Sequence, residues 1–398
     1  PVPQVDVLFV GTSCKDLSRQ NTDRKSGRLV LSLASSRGGS AQTSQGFLAY
    51  VRSRTPLIIM YENVDAIDDN AGATHAGMSN LDILMAEMSS SGYLGQRIMT
   101  DACEFGLPAR RRRISALFIR AASSKVDFAA RPADHVFALF RKFVASCMRS
   151  APCASKCLLD PAVEAQADAV EEALLERQFR ASSKKEATTI GQWPAQHFKL
   201  CEEMGISWKQ EVPAELASNQ HYQSLTDREA DVLRLSRMLA PKCGLRNLSQ
   251  SLQRAHSHTL TELGDRHIAP TMLPGQLMWL EVVTPPRIMT GQEALCFQGF
   301  PSRPFLEALT GLGPHIHEMA AVQLDPSKSK VTKAMRERAA RFHATESLMQ
   351  DLAGNAMAAP VVLAILQSGL VAVAWKPLVK PAGDKERLRA MAALGGLM

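Results

Sequence analysis

The most reactive arrangement in the sequence is Gly11-Thr12-Ser13-Cys14-Lys15-Asp16-Leu17-Ser18, which sets a cysteine on a polar loop just after an apolar run. A thiol at such a junction is partly exposed, and nearby cations or helix termini lower its pKa, which makes a nucleophilic thiolate. The same residues also suit a small, inert, buried cysteine. A second apolar run, Leu57 to Tyr61, ends in Glu62-Asn63-Val64, so a carboxylate follows a strand pattern as Cys14 does. Glu62 reads as a catalytic carboxylate or as a solvent-facing residue at a strand end. Further on, Phe105-Gly106-Leu107-Pro108-Ala109 leads into Arg110, Arg111, Arg112 and Arg113. Such a run serves a solvated face or a phosphate contact. In an extended chain alternate side chains share a face, which groups Arg111 with Arg113 and Arg110 with Arg112. One pair can therefore enter a site.

Positioning these groups is the work of alternating strands and helices. Residues 5–10 are a short apolar run ending at Gly11, as in a buried strand that feeds a functional loop. Gln45 to Arg54 has apolar residues at helical spacing (Phe47, Leu48, Tyr50, Val51), and Pro56 separates it from the strand Leu57–Tyr61. Leu81 to Ser91 repeats the helix, with Leu81, Leu84, Met85 and Met88 on one face and Gly92 placed to end it; Ile114 to Ile119 is the next strand. This order predicts a mostly parallel sheet covered on both faces, with the active groups on loops at the strands' carboxyl ends. After Ala121 come Ala-rich helical stretches over 129–150 and 161–180, then an irregular region over 188–280. Lys328 to Arg341 reads as a solvated helix, Ala358 to Leu370 as an apolar one, and the residues after Lys376 as a loose tail.

At 398 residues with 45% hydrophobic content the chain is long enough for two or three domains. The amino terminus lacks the charged region and hydrophobic stretch of a secretory signal, and no run of about 18 uncharged apolar residues is evident. The expectation is an intracellular protein without a membrane partner. Eight unevenly spaced cysteines favour reduced thiols over a disulfide framework. A formal charge of +7 suits a polyanionic partner.

The order Cys-loop, Glu-Asn-Val, Gly-Leu-Pro-x-x-Arg-x-Arg resembles that of the C5-cytosine methyltransferases. Arg287 to Pro301 looks like the family's ninth motif and Gly354-Asn355-Ala356-Met357-Ala358-Ala359-Pro360 like its tenth, so five motifs fall in family order over residues 6–366. Cys-x-Asp-Leu-Ser, followed by Gly27-Arg28-Leu29, is most similar in style to the eukaryotic de novo DNA methyltransferases. The resemblance implies an α/β fold: a partial Rossmann-like S-adenosylmethionine methyltransferase domain with an inserted smaller target-recognition domain. Its boundaries would be 1–125 for the core, 126–280 for target recognition, 281–375 for the returning motifs and 376–398 for the tail.

The resemblance also assigns roles. The Cys14 thiolate would add to C6 of cytosine, giving an enamine that takes a methyl group from S-adenosylmethionine at C5; loss of the C5 proton then ejects the thiolate. Glu62 would stabilise charge at N3 as the thiol adds. Arg111 and Arg113 would orient base and phosphate and lower the thiol pKa. Asn63, Ser18 and Arg287 would contact the substrate, and Gly354, Asn355 and Ala356 the cofactor; no metal is expected. The substrate would be double-stranded DNA with the target cytosine flipped out, in the nucleus, with transfer RNA as an alternative. A different class of function, a catalytically dead DNA-binding module derived from such an enzyme, fits the same residues.

Ser13 stands where the family has proline, Lys15 follows the nucleophile, Ala109 replaces a common Gln and Cys296 a common Arg. The family's cofactor-binding Phe-x-Gly-x-Gly turn and ribose-binding acid belong on strands ahead of the cysteine loop, where this sequence has almost nothing. The chain therefore reads as a piece of something longer that by itself binds S-adenosylmethionine poorly. Cys147, Cys153 and Cys157 lack the spacing of a common zinc module. Leu225 to Leu235 is similar to the opening of a LuxR-type helix-turn-helix, but an amphipathic helix capped by Thr226 and Glu229 is the preferred reading. His256 and His258 read as part of a polar recognition loop.

Overall fold

A computed structural model of the chain describes residues 3–19, 39–70, 77–160, 164–185, 193–208, 212–249, 262–263, 266–300 and 346–376. Gly27-Arg28-Leu29, His256, His258, Lys328–Arg341 and the tail after Lys376 lie outside these residues. Contacts divide the chain into two compact units, one of residues 1–98, 114–146 and 365–398, the other of 99–113 and 147–364.

The first unit is built on a sheet. Strand β1 is Val7–Gly11, helix α1 Gly39–Arg54, strand β2 Ile58–Val64, helix α2 Asn80–Ser90, strand β3 Tyr93–Asp101, strand β4 Arg112–Arg120 and helix α3 Ala133–Ser146. The sheet order is β1-β2-β4-β3. β1 and β2 pair in parallel with Val7 opposite Ile58 and Gly11 opposite Glu62, so both strands end at one edge. The sheet is mixed, which corrects the mostly parallel expectation: the Ala121 N–H donates to the Gly92 carbonyl, that of Ala102 to Arg111 and that of Arg120 to Leu57, so β4 runs antiparallel to both neighbours. The physical reason is the short link from β3 to β4; a parallel neighbour needs a crossover of roughly a dozen residues or more.

β3 escapes the apolar-run criterion because Leu94, Arg97 and Met99 are exposed while Tyr93, Thr100 and Asp101 are buried. Helix α1 starts at Gly39 rather than Gln45 because small residues, Ser40, Ala41 and Ser44, bury its first turns, and a search for large apolar side chains passes over them. α2 opens on a capping box in which Ser79 and Asp82 satisfy each other's backbone N–H groups. Gly92, at φ 84°, turns the chain out of it.

Phe47, Val51, Ile59, Tyr61, Leu84, Met88 and Phe118 form the core of this unit. Beneath the sheet, Gly369 of the helix Ala359–Ala372 lies against Met60 and Leu117. Met349–Ala372 is, among the described residues, the one stretch long and apolar enough by composition to cross a membrane, a run that the sequence criterion passed over because the polar Asn355, Gln367 and Ser368 interrupt it. It breaks into two helices after Asn355.

The second unit carries a three-stranded antiparallel sheet of Leu245–Asn247, Met278–Leu280 and Arg287–Ile288. The region read as irregular contains the helices Trp193–Glu203 and Asp227–Leu239. The latter has the expected capping box between Thr226 and Glu229, and buries Val232, Leu233 and Leu235 against Trp279 and Ile288.

Candidate active site

Parallel pairing carries the two candidate reactive groups to one sheet edge. Glu62 lies opposite Gly11, and Cys14 follows Gly11 on the loop leaving β1. Next to Glu62 in β2 is Tyr61, whose side chain is fully buried. Burial pushes the Tyr61 hydroxyl up to about 12; hydrogen bonds to Thr12 and Asn63 oppose the shift, and the charges of Glu62 and Cys14 add to it. A phenol that stays neutral at every physiological pH therefore sits within electrostatic reach of both groups.

The cysteine loop is pinned along its length. Thr12 Oγ1 and Tyr61 OH share a hydrogen bond of 2.7 Å. The Asn63 side-chain amide donates to Tyr61 OH at 2.9 Å, Thr12 Oγ1 at 3.0 Å and the Thr12 carbonyl at 3.2 Å. One residue on, the Ser13 N–H donates to Thr43 Oγ1 of α1 at 3.0 Å. Asp16 and Ser40 bond reciprocally: the Asp16 N–H donates to Ser40 Oγ at 3.0 Å, and the Asp16 carboxylate accepts the Ser40 N–H at 2.8 Å. This puts a carboxylate at the amino end of α1, where the helix dipole favours it.

The Cys14 carbonyl accepts from Leu17 and Ser18 N–H groups, closing a turn around a half-buried thiol. Arg19 ends the loop with hydrogen bonds to Asp65 at 2.8 Å and to both carboxylate oxygens of Asp69, and its own charge is held more firmly by the Asp69 bond.

Two of the expected substrate contacts have structural partners in this loop. Asn63 is buried, with its amide spent on Thr12 and Tyr61. Ser18 closes the Cys14 turn through its backbone. Tyr61, Thr12, Thr43, Ser40 and Asp16 were not singled out from the sequence. The one signal for them was a tyrosine hydroxyl at the end of an otherwise apolar strand.

The remaining candidates belong to the second unit. The Arg111 guanidinium is buried and donates to the Gly354 carbonyl at 3.3 and 3.4 Å and to that of Met272 at 3.4 Å, while its N–H bonds the Asp101 carboxylate. Arg110 pairs with Asp101 at 3.0 Å, and the half-buried Arg113 donates to the Arg112 carbonyl at 2.8 Å. Arg287 is 2% exposed; it meets the fully buried Glu293 at 2.6 and 2.9 Å and the Leu159 carbonyl at 3.1 Å. Glu293 also closes a capping box with Thr290. Gly354 packs so closely on the Leu273-Pro274 backbone that a Cβ there would fall 2.0 Å from the Pro274 nitrogen. Asn355 is exposed and donates to the Asp351 carbonyl at 2.9 Å, and the Ala356 N–H donates to Leu352.

A groove of about 390 Å³ runs beside β1, lined by Val5, Leu8, Val10, Thr43, Phe47 and Tyr50. β1 is the outermost strand of its sheet. Among the described residues no carboxylate lines this groove to hold a ribose diol. Gly354 is filled by backbone and Asn355 turns to its own helix, so the described residues do not by themselves fit S-adenosylmethionine.

Comparison with known proteins agrees with the motif order. A DNA (cytosine-5-)-methyltransferase of Cryptococcus neoformans var. grubii, DMT5, is 24% identical over 320 residues, which are 76% of this chain and 12% of that protein. The chain thus spans about one eighth of that relative's length. A prophage-encoded E. coli protein described as a DNA modification methyltransferase aligns at TM-score 0.40 and 15% identity, over 93% of this chain and 79% of the other. The S. pombe Dnmt2 methyltransferase aligns at 0.33 and 14%, over 92% and 77%. Residues 1–310 match the family of C-5 cytosine-specific DNA methylases from end to end of its sheet and well into the second unit, and the chain belongs to that family.

Proposed function

We propose that this chain carries the base-activating residues of a DNA cytosine-C5 methyltransferase, with Cys14 as nucleophile and Glu62 as its acid partner. The observation that supports this reading is the register of β1 on β2, which brings the loop of Cys14 and the carboxylate of Glu62 to one edge of the sheet.

The chemistry these residues can perform is addition and its reversal. The Cys14 thiolate forms a bond to C6 of a cytosine flipped from duplex DNA, the C5–C6 π pair shifts to C4–C5 and the C4–N3 π pair moves onto N3, where Glu62 shares a proton to hold the charge that develops. C5 is now an enamine carbon. It takes a proton from solvent, loses the original one, and the electron pair returns to expel the thiolate. The donor that turns this enamine into 5-methylcytosine is S-adenosylmethionine in the family. The described residues do not by themselves hold it, and no step is routed through it.

This addition leaves a cofactor-independent trace. In deuterated water the chain should exchange the C5 hydrogen of cytosine in a duplex oligonucleotide, read by mass spectrometry. Cys14→Ser should lower the rate at least about 10³-fold, because the alcohol is a far poorer nucleophile at neutral pH. Equal exchange by Cys14→Ser sinks the assignment. Exchange on a transfer RNA but not on DNA moves the substrate to RNA, and binding of DNA without any exchange favours the inactive binding module.

A further inference from the structure

Two neighbouring elements, β2 and α1, supply the long-range hydrogen bonds to the residues just ahead of Cys14, beside a single bond of 3.5 Å within the loop from the Lys15 N–H to Ser13 Oγ among the described residues. β2 contributes Tyr61 and Asn63, which converge on Thr12 at 2.7 to 3.2 Å. α1 contributes Thr43, which accepts the Ser13 N–H at 3.0 Å while its own hydroxyl proton is directed to the Gly39 carbonyl at 2.9 Å or that of Ser40 at 3.1 Å. Ser44 reaches Thr12 Oγ1 at the longer distance of 3.5 Å. Tyr61 is 1% exposed and Asn63 1%, so the bonds from β2 form where water does not compete and where a lost partner is costly.

We propose that Thr43 and Tyr61 are positioning residues for Cys14, a polar clamp that holds the backbone ahead of the sulfur against strand and helix at once. The inference rests on Cys14 being the nucleophile. A backbone N–H at position 13 is part of the device: a serine there supplies a donor that a proline lacks, and Thr43 is the acceptor that uses it. Tyr61 ties the carboxyl end of β1 to the strand that carries Glu62, so one hydroxyl sets the spacing of both reacting groups. With the clamp intact, a near-attack geometry does not have to be found by the loop at each encounter.

The clamp separates reactivity from exposure, which gives its test two readouts. Thr43→Val keeps the branched shape of the side chain and removes the hydroxyl, Tyr61→Phe keeps the ring in the core, and Thr43→Ser restores the acceptor. C5-hydrogen exchange is measured on the duplex oligonucleotide, and iodoacetamide labelling of each cysteine is followed by peptide mass spectrometry. The expected result for Thr43→Val and Tyr61→Phe is exchange slowed about tenfold at saturating oligonucleotide with its half-saturation little changed. Cys14 should be labelled about fivefold faster while the buried Cys103 and Cys201 keep their rates, and Thr43→Ser should return both readouts to the parent.

Unchanged Cys14 labelling in both variants overturns the clamp. A rise shared by all three cysteines also counts against it, because the residues would then be holding the fold rather than the loop. If the parent chain shows no exchange, the nucleophile assignment fails by that readout alone, and the labelling pattern still reports separately on whether Thr43 and Tyr61 hold the loop.

Discussion

The loop of Cys14 and the core around Arg287 are both rich in polar side chains, yet they spend them in opposite ways. Around Cys14 the hydrogen bonds end on backbone and hydroxyl groups, and the thiol they surround keeps part of its surface open. Around Arg287 two full charges neutralise each other with almost no exposure, and carbonyls and a helix cap take further bonds, while Arg287 Nε has no hydrogen-bond partner among the described residues. Arg111 follows the second pattern, with its charge directed at main-chain carbonyls. Motif residues of one family thus divide into those that hold a partly open loop and those that hold a core together. Their sequence spacing looks the same in both cases.

This contrast can be tested most strongly at Glu293. Glu293→Ala leaves Arg287 charged and buried without its partner and removes the cap of the helix Gly291–Cys296, so a loss of about 4 kcal/mol is expected in chemical denaturation. A loss below about 1 kcal/mol would place Arg287 among the groups available to a substrate. Gly354→Ala comes next, at about 3 kcal/mol, because the Pro274 backbone has no room for a methyl group. If that variant is as stable as the parent, the close approach of 354 to 274 is wrong.

The smallest effect expected is a dependence on pH. Burial, helped by the charge of Arg287, pulls His221 down to about 4 from its ordinary 6.5, and among the described residues its Nδ1 has no hydrogen-bond partner. A histidine whose pKa is lower folded than unfolded favours the folded state when neutral. The stability it contributes is therefore complete above about pH 6.5 and is lost as pH falls toward 4, on the order of 1–2 kcal/mol after allowance for partial exposure. His221→Gln should flatten the stability profile across that window, and an unchanged slope would assign the acid sensitivity elsewhere.

The strands that carry the candidate thiol and carboxylate were legible, because a buried strand announces itself by composition. Cys14 follows the end of β1 as the run before it predicts, whereas Glu62 lies inside β2, which continues past the apolar run to Val64. The capping box at Thr226 was legible for the same local reason, since its two partners are three residues apart. β3 was not, because an edge strand with one face in water has no apolar run to find. The direction of β4 was hidden too, for it depends on the length of a link rather than on any residue in the strand.

What the sequence determines by itself is the inventory and its order: a thiol after one strand, a carboxylate after the next, arginines before a third, and membership of a methylase family carried by those motifs. Tertiary structure alone decides which of these side chains have charge or hydrogen bonds left to offer. Arg111 meets Gly354 across 243 positions, and Thr12 meets Tyr61 across 49 and Asn63 across 51. Partners so far apart in the chain leave no periodicity to read. Whether a polar group is spent in the core or available at a surface is set by burial and by the partner that burial brings, and both exist only once the chain has folded.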